Sequence, residues 1–331
     1  MLVGGTGTRL RPLTLTVPKQ VLPIVEVPMI ERVLGYLAGH GVDEAVLSLG
    51  YLHDAFEDLF PEGRCGAVRL IYAVEPEPLD TAGAVRFAAR YAGVDERFLV
   101  VNGDILTDLD VTAMVAFHED RGAQATISLA RVADPSAFGL VPIDGQGKVV
   151  EFVEKPAPGA VGPSLVNAGT YLLEPAVLDH IPEGRRVSIE REVFPVLATA
   201  GTLFGFDSPD YWTDTGTPLQ YLGAQLDLIS GRRTGPPAPG ALPGPDGTWI
   251  VGTPEFGSSV QGPSLVGDGP WTLLPHAVVG KGAVVSHSIV GRGAQVGEGA
   301  EITGTSVLGD DYVVEPGTVL QGARLPAGQP S

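Results

Sequence analysis

Between Val278 and Leu320 an aliphatic residue returns at every sixth position: Val278, Val284, Val290, Val296, Ile302, Leu308, Val314 and Leu320. Val260 and Val266 hold the same phase, with Thr272 as its one polar interruption. Small residues follow four positions later at Ala294, Ala300, Ser306 and Thr318, and glycine often comes directly after the aliphatic residue, as in VGRGAQ and VGEGAE. A helix repeats near 3.6 and a strand at 2, so neither accounts for a period of six. Short strands joined by tight turns do, when wound as a three-sided coil that sends one aliphatic side chain inward from each side. The pattern predicts a parallel β-helix over residues 249–331, with about 18 residues per coil and roughly four coils.

Upstream of it, residues 231–248 (GRRTGPPAPGALPGPDGT) are too rich in Pro and Gly for a helix or a central strand and read as a linker. Residues 1–230 then form a separate domain, in keeping with a 331-residue chain that exceeds what one core usually supports. From Val42 onward, β-rich runs alternate with amphipathic stretches: AVLSLG, then YLHDAFEDLF; VRLIYAVE, then TAGAVRFAARYA; and RFLVVNGD. That alternation predicts an α/β fold with a mostly parallel sheet whose ligands lie beyond the strands' carboxyl ends, where Asn102, Gly103 and Asp104 fall. ATISLARV, GLVPID, KVVEFVEK and LVNAGTYLLE contain fewer helices and predict added, antiparallel strands.

The formal net charge of −18 argues against nucleic acid or an anionic membrane as partner. A small anionic substrate needs only a few local cations, and the chain has just four lysines, Lys19, Lys148, Lys155 and Lys281. Cys65 is the single cysteine, so no internal disulfide forms, which fits the cytoplasm. No stretch is apolar enough to span a bilayer, and the N-terminus does not read as a signal peptide.

The segment Gly4 to Gln20, GGTGTRLRPLTLTVPKQ, combines backbone freedom with charge. Gly4, Gly5 and Gly7 allow a tight turn whose N–H groups reach an anion, while Arg9, Arg11 and Lys19 supply cations. This describes a polyphosphate cradle. It is no Walker A loop, because Gly-Lys-Ser/Thr is absent, and Leu10 replaces the third glycine of the dinucleotide fingerprint. A structural turn with solvated arginines is the bland alternative.

GGTGTRLRPLT followed by PKQVLPI resembles the signature of the sugar-1-phosphate nucleotidylyltransferases, and VNGDIL, FVEKP, VNAGTYLL, YWTDTGTP and the hexapeptide tail extend the resemblance over nearly the whole chain. EPEPLDTAGA and SIEREVFPVL look most similar to the mannose-1-phosphate guanylyltransferases within that family. The resemblance implies a Rossmann-like nucleotidyltransferase domain with a mixed, mostly parallel sheet, followed by a left-handed β-helix. It implies that Arg9, Lys19, Asp104, Lys155 and Asp214 are catalytic, with Asp104 and Asp214 holding Mg²⁺. It places the nucleoside triphosphate on Gly4, Gly5, Thr6, Gly7, Thr8, Arg9, Glu75, Asp80, Gly83, Asn102 and Gly103. The sugar 1-phosphate falls to Gly139, Glu154, Lys155, Asn167 and Gly169. Glu75 favours GTP, because a carboxylate accepts from both N–H donors on guanine's edge.

Other readings stay open on sequence alone: a glucose-1-phosphate thymidylyl- or uridylyltransferase, an inactive regulatory subunit, or an acyltransferase tail using His276 or His287. Retention of the five catalytic positions favours an active enzyme. The tail is expected to join subunits into a homo-oligomer. Two departures from the family pattern stand out. Asp80 occupies a usual glycine position, and only Met1, Leu2 and Val3 precede the glycine loop, which predicts further strand residues encoded upstream.

Overall fold

The computed structural model describes residues 1–25, 27–50, 52–156, 164–229, 231–233 and 277–326, with the backbone of four short strands at 242–243, 249–250, 259–261 and 272–273. The predicted linker lies mostly outside these residues. Two compact units are present: Met1–Gly5 with Val33–Trp212, and Thr6–Arg32 with Thr213–Ser331.

The first unit is built on strands β1 (Glu44–Leu49), β2 (Val68–Val74), β3 (Phe98–Val101), β4 (Ala125–Val132), β5 (Gly139–Leu140), β6 (Val153–Glu154), β7 (Ser164–Leu173) and β8 (Leu203–Asp207). β1 and β2 are parallel, as are β4 and β8, while β7 runs antiparallel to both β3 and β4. The first six residues of β4 are all buried, the near-continuous apolar run of a strand covered on both faces.

Met1–Val3 fills the gap between β1 and β3. Leu2 bridges Ser48 and Asn102 in parallel, its N–H reaching Val101 O at 2.9 Å, and Val3 N reaches Ser48 O at 3.2 Å. Met1 N donates to Val46 O at 2.7 Å. Beside it, Ala45, Val46, Val85, Ala88, Phe98 and Val100 line an apolar cavity of about 440 Å³.

Helix α1 (Asp80–Ala92) buries Ala82, Val85, Ala88 and Ala89 along one face, and Gly93, at φ +70°, supplies its left-handed C-cap. Helix α2 (Val111–Arg121) starts at Asp110, whose carboxylate accepts from Ala113 N at 2.9 Å. Helix α3 (Phe194–Ala200) follows a π-helical turn, Ile189–Val193. Ile127, Leu129, Tyr171, Leu173, Phe194 and Leu197 lie in the core these elements enclose.

The second unit contains helix α4 (Pro218–Ile229) and the coil strands β9 (Val278–Gly280), β10 (Val284–Val285), β11 (Ile289–Val290), β12 (Gln295–Val296), β13 (Glu301–Thr303), β14 (Val307–Leu308), β15 (Val313–Val314), β16 (Val319–Gln321) and β17 (Arg324–Leu325). They stack in three parallel sheets, β9-β12-β15, β10-β13-β16 and β11-β14-β17, which is the expected parallel β-helix. Glycine follows the inward residue because the next coil passes close by: a Cβ on Gly280 would lie 2.7 Å from Glu298 N.

One part of the predicted register is corrected. Val290, Val296, Ile302, Leu308 and Val314 point inward as expected, and Leu320 packs against them. Val278 and Val284 do not; the buried residues there are Val279 and Val285, and Val284 is 51% exposed. The reason is coil length. Val278 pairs with Gln295, seventeen positions on, whereas Ile289 pairs with Val307, eighteen positions on. The shorter coil shifts the phase by one, and the doublets Val278-Val279 and Val284-Val285 supply an aliphatic residue in either phase.

Candidate active site

The first unit carries most of the sequence-predicted residues. Glu75 sits just past β2, its N–H bonded to Leu49 O at 2.8 Å. Its Oε1 accepts from the Ser48 hydroxyl at 2.9 Å and its Oε2 from Leu79 N at 3.0 Å. A Cβ on Gly4 would lie 3.5 Å from the same Oε1, so the start of the glycine loop passes directly over this carboxylate. Ser48 was invisible as a site residue in the sequence, where it reads as one polar position in a buried strand.

Asp80 has φ +62°, in the left-handed region. The position suits glycine for that reason, and an aspartate is among the few other residues that tolerate it. Its Oδ1 accepts from Thr81 N at 2.8 Å. Gly83 and Gly103 are buried and serve the fold: a Cβ on Gly83 would meet Leu79 Cβ at 2.9 Å and Arg185 O at 3.2 Å, and Gly103 N donates to Leu2 O at 3.0 Å. Asp104 follows in the turn after β3 and is half-buried.

Asn102 and Gly169 are adjacent, with Asn102 Nδ2 only 2.8 Å from where a Gly169 Cβ would be. Gly169, at φ +76°, lies in the irregularity of β7 between Asn167 and Tyr171. Asn167 stabilises that kink from both ends of its amide: Oδ1 accepts from Gly169 N at 2.9 Å, and Nδ2 donates to the buried Tyr171 hydroxyl at 2.9 Å. Burial, and next the Glu190 carboxylate, pushes the Tyr171 phenol well above its ordinary range, so it stays protonated.

Gly139 and Glu154 face each other across β5 and β6. The Glu154 carboxyl is raised above its usual value, by burial first and Glu190 second, with Lys155 and Arg191 opposing. Lys155 lies 3.9 Å from Glu154, has φ +49°, and is 62% exposed at its side chain. A lysine in that backbone region costs about 1 kcal/mol or more, the kind of strain that gathers at functional positions. Glu190 and Arg191 were not singled out from the sequence, because Glu-Arg-Glu reads as a solvated helical face. In the structure Glu190 Oε2 accepts from Thr81 Oγ1 at 2.7 Å and Ser188 Oγ at 2.8 Å.

The second unit carries the rest. Gly7, at φ +61°, starts the single turn Thr8–Leu10, and the Thr14 hydroxyl donates to Gly7 O at 2.8 Å. A Cβ on Gly7 would lie 3.0 Å from Thr14 Cγ2 and 3.4 Å from Lys19 Cβ, so the turn closes onto the Lys19 segment. Thr6, Thr8 and Arg9 are exposed, as Gly5 is in the first unit. Asp214 Oδ1 accepts from Gly216 N at 2.6 Å. A Cβ on Gly216 would collide with the Arg9 guanidinium and lie 2.8 Å from Asp214 Oδ1. Arg9, Asp214 and Gly216 therefore form one cluster. The helix cap ahead of α4 is Thr217, which accepts from Gln220 N at 3.3 Å, so Asp214 is not spent as a cap. His287 is an exposed corner residue of the coil with φ +47°; His276 lies outside the described residues.

Among the described residues no group of three or more His, Cys, Asp or Glu is arranged to hold a metal. Asp104 belongs to the first unit and Asp214 to the second. Each carboxylate is a hard oxygen donor, the kind Mg²⁺ prefers. No helix among the described residues is long and apolar enough to cross a membrane.

The family described as nucleotidyl transferase matches residues 1–231. The chain is 36% identical over 325 residues to the mannose-1-phosphate guanylyltransferase of Mycobacterium tuberculosis, covering 97% of this chain and 82% of the relative. It is 30% identical to the UTP–glucose-1-phosphate uridylyltransferase of Synechocystis, covering 97% and 89%. Among solved structures, HddC from Yersinia pseudotuberculosis complexed with GMP-PN superposes with a TM-score of 0.59 at 31% identity, over 68% of this chain and 96% of that one.

Proposed function

The chain belongs to the nucleotidyl transferase family, and from that premise we propose that it joins GTP to mannose 1-phosphate, forming GDP-mannose and releasing pyrophosphate. Transfer to a sugar 1-phosphate is common to the guanylyl and uridylyl relatives; the base and the sugar are the finer part of the proposal.

In this reaction a phosphate oxygen of the sugar 1-phosphate attacks the α-phosphorus of the triphosphate, and the bond to the β-phosphate oxygen breaks. Two anions must meet. At ~4 Å a pair of unit charges repels by about 4 kcal/mol at an effective dielectric of 20, so cations and oriented N–H groups are the requirement. The glycine turn and Arg9 hold the triphosphate and its growing charge. Lys19 draws the α-phosphate toward the incoming phosphate, and Lys155 clamps that phosphate. Asp104 and Asp214 hold Mg²⁺, which neutralises phosphate charge when bound. Gly139, Glu154, Asn167 and Gly169 frame the sugar side; Asn102 belongs to the nucleotide side, and Glu75, with Gly4 above it, frames the base. The tail joins subunits, a role supported by exposed Val284, Val313 and Val319 on its outer faces.

The observation that carries the reading is the Arg9–Gly216–Asp214 cluster, where a fixed carboxylate and a cation meet around a glycine. A second reading, uridylyl or thymidylyl transfer to glucose 1-phosphate, is favoured by the Synechocystis relative. Pyrophosphate release measured with GTP, UTP and dTTP against both sugar phosphates decides between them. Turnover of GTP with mannose 1-phosphate, lost in Asp104→Ala, is the expected result; preference for UTP or dTTP with glucose 1-phosphate selects the other.

A further inference from the structure

The last coil of the β-helix grips the backbone of the glycine-rich turn. β17 pairs with β14, Val307 with Arg324 and Leu308 with Leu325, which fixes where Arg324 stands on the coil surface. From there Arg324 Nη1 donates to Arg9 O at 2.5 Å and to Arg11 O at 3.2 Å. These are carbonyls at the end of the Thr8–Leu10 turn, where backbone acceptors lack intrahelical donors and a cation is the natural partner. The same coil makes a second, apolar contact: a Cβ on Gly309 would lie 3.1 Å from Pro12 Cγ and 3.1 Å from Pro326 Cδ. The absence of a side chain at Gly309 leaves Pro12 room to sit close. Arg324 thus holds the Arg9 backbone, while the Arg9 guanidinium lies beside Gly216.

We propose that Arg324 is a positioning residue for nucleotidyl transfer, by which the final coil sets the Arg9 turn in the place where it meets the triphosphate. The inference rests on the reading that this turn binds the nucleoside triphosphate. It gives the tail a part in the chemistry of its own subunit, separate from any role in assembly.

The test uses the full chain with Arg324→Ala and Arg324→Lys. Pyrophosphate release is measured against each substrate in turn, and hydrogen exchange is followed at the amides of residues 7–15. Losing two charge-assisted hydrogen bonds is expected to cost about tenfold in kcat/KM for the nucleotide, with KM for the sugar phosphate changed by less than about twofold. Arg324→Lys, which keeps the charge, recovers part of the loss, and exchange quickens at residues 7–15 while the rest of the coil keeps its protection. Unchanged nucleotide kinetics in Arg324→Ala overturn the proposal, whatever exchange does, as does a loss shared equally by both substrates with lowered thermal stability. Should Arg324→Ala fail to fold, Arg324→Lys alone decides by whether nucleotide kinetics and turn exchange move together. If the unaltered chain turns over no nucleotide and sugar phosphate pair, the proposed function fails, and exchange at residues 7–15 then decides whether the grip itself exists.

Discussion

Gly216→Ala separates the chemistry of the Arg9 cluster from its stability. Gly216 is buried and its backbone is outside the left-handed region, so alanine is conformationally acceptable there. A glycine-to-alanine change at a compatible site raises stability by about 0.4–1 kcal/mol through the unfolded chain. Against this stands the new methyl. It would lie 2.8 Å from Asp214 Oδ1 and 3.1 Å from Arg9 Cζ, both inside van der Waals contact. Asp214 is tethered by the Gly216 N–H, whereas Arg9 ends a flexible, exposed side chain, so Arg9 is the group that yields. The melting temperature should therefore stay nearly constant while the cation leaves its place. Withdrawing one preorganised charge from a phosphoryl transition state costs roughly 100- to 1000-fold in kcat, on the scale of about 3–4 kcal/mol. Arg9→Ala should cost a similar factor, and the double variant little more than either, because both remove one interaction. The assay is steady-state pyrophosphate release on the four-member cycle. Multiplicative losses, or an active Gly216→Ala enzyme, would refute the reasoning.

Three further outcomes are expected. His118 is buried between Thr126, at 2.8 Å, and Glu174, at 3.2 Å; burial first, then Arg97, holds its pKa below 6.5, with Glu174 opposing. The unfolded chain takes up a proton below about pH 6.5 that the folded chain resists, so denaturant stability should be full above that pH and decline as pH falls, with a shallower decline in His118→Gln. Asp80→Gly should leave the urea midpoint nearly unchanged, whereas Asp80→Val, a branched residue at φ +62°, should cost about 1–2 kcal/mol. Chelation of divalent ions should abolish turnover with recovery on adding Mg²⁺, and Asp104→Asn or Asp214→Asn should raise the Mg²⁺ concentration needed; activity indifferent to chelator would remove the metal from the scheme.

Much of this architecture was legible from repeating chemistry. The six-residue period announces a coil because no other regular structure has that spacing, and the alternating β-rich and helical runs announce the parallel pair β1 and β2, although β3 pairs antiparallel with β7. The phase at Val278 and Val284 was not legible, since a valine doublet satisfies both alternatives and the missing residue falls in a corner with no hydrophobic marker. The glycine loop and its cations were readable by residue type. The part Gly83 plays in close packing and Gly103 in bonding Leu2 was not legible, because a glycine needed for packing or a turn looks the same in sequence as one needed for an anion. Glu190, Ser48 and Gly216 were missed for the opposite reason: each acts through a partner more than 25 positions away, and no local pattern records such a pairing.

The division of the chain into units has a consequence for biosynthesis. Residues 6–32 are made well before the segments that complete their unit, α4 and the coil carrying Arg324. The turn bearing Arg9 must wait for those distant partners through the making of residues 33–212, a long loop to close before its contacts with them are gained. A nascent chain released before the coil carrying Arg324 would thus carry a finished sheet and an unset glycine turn.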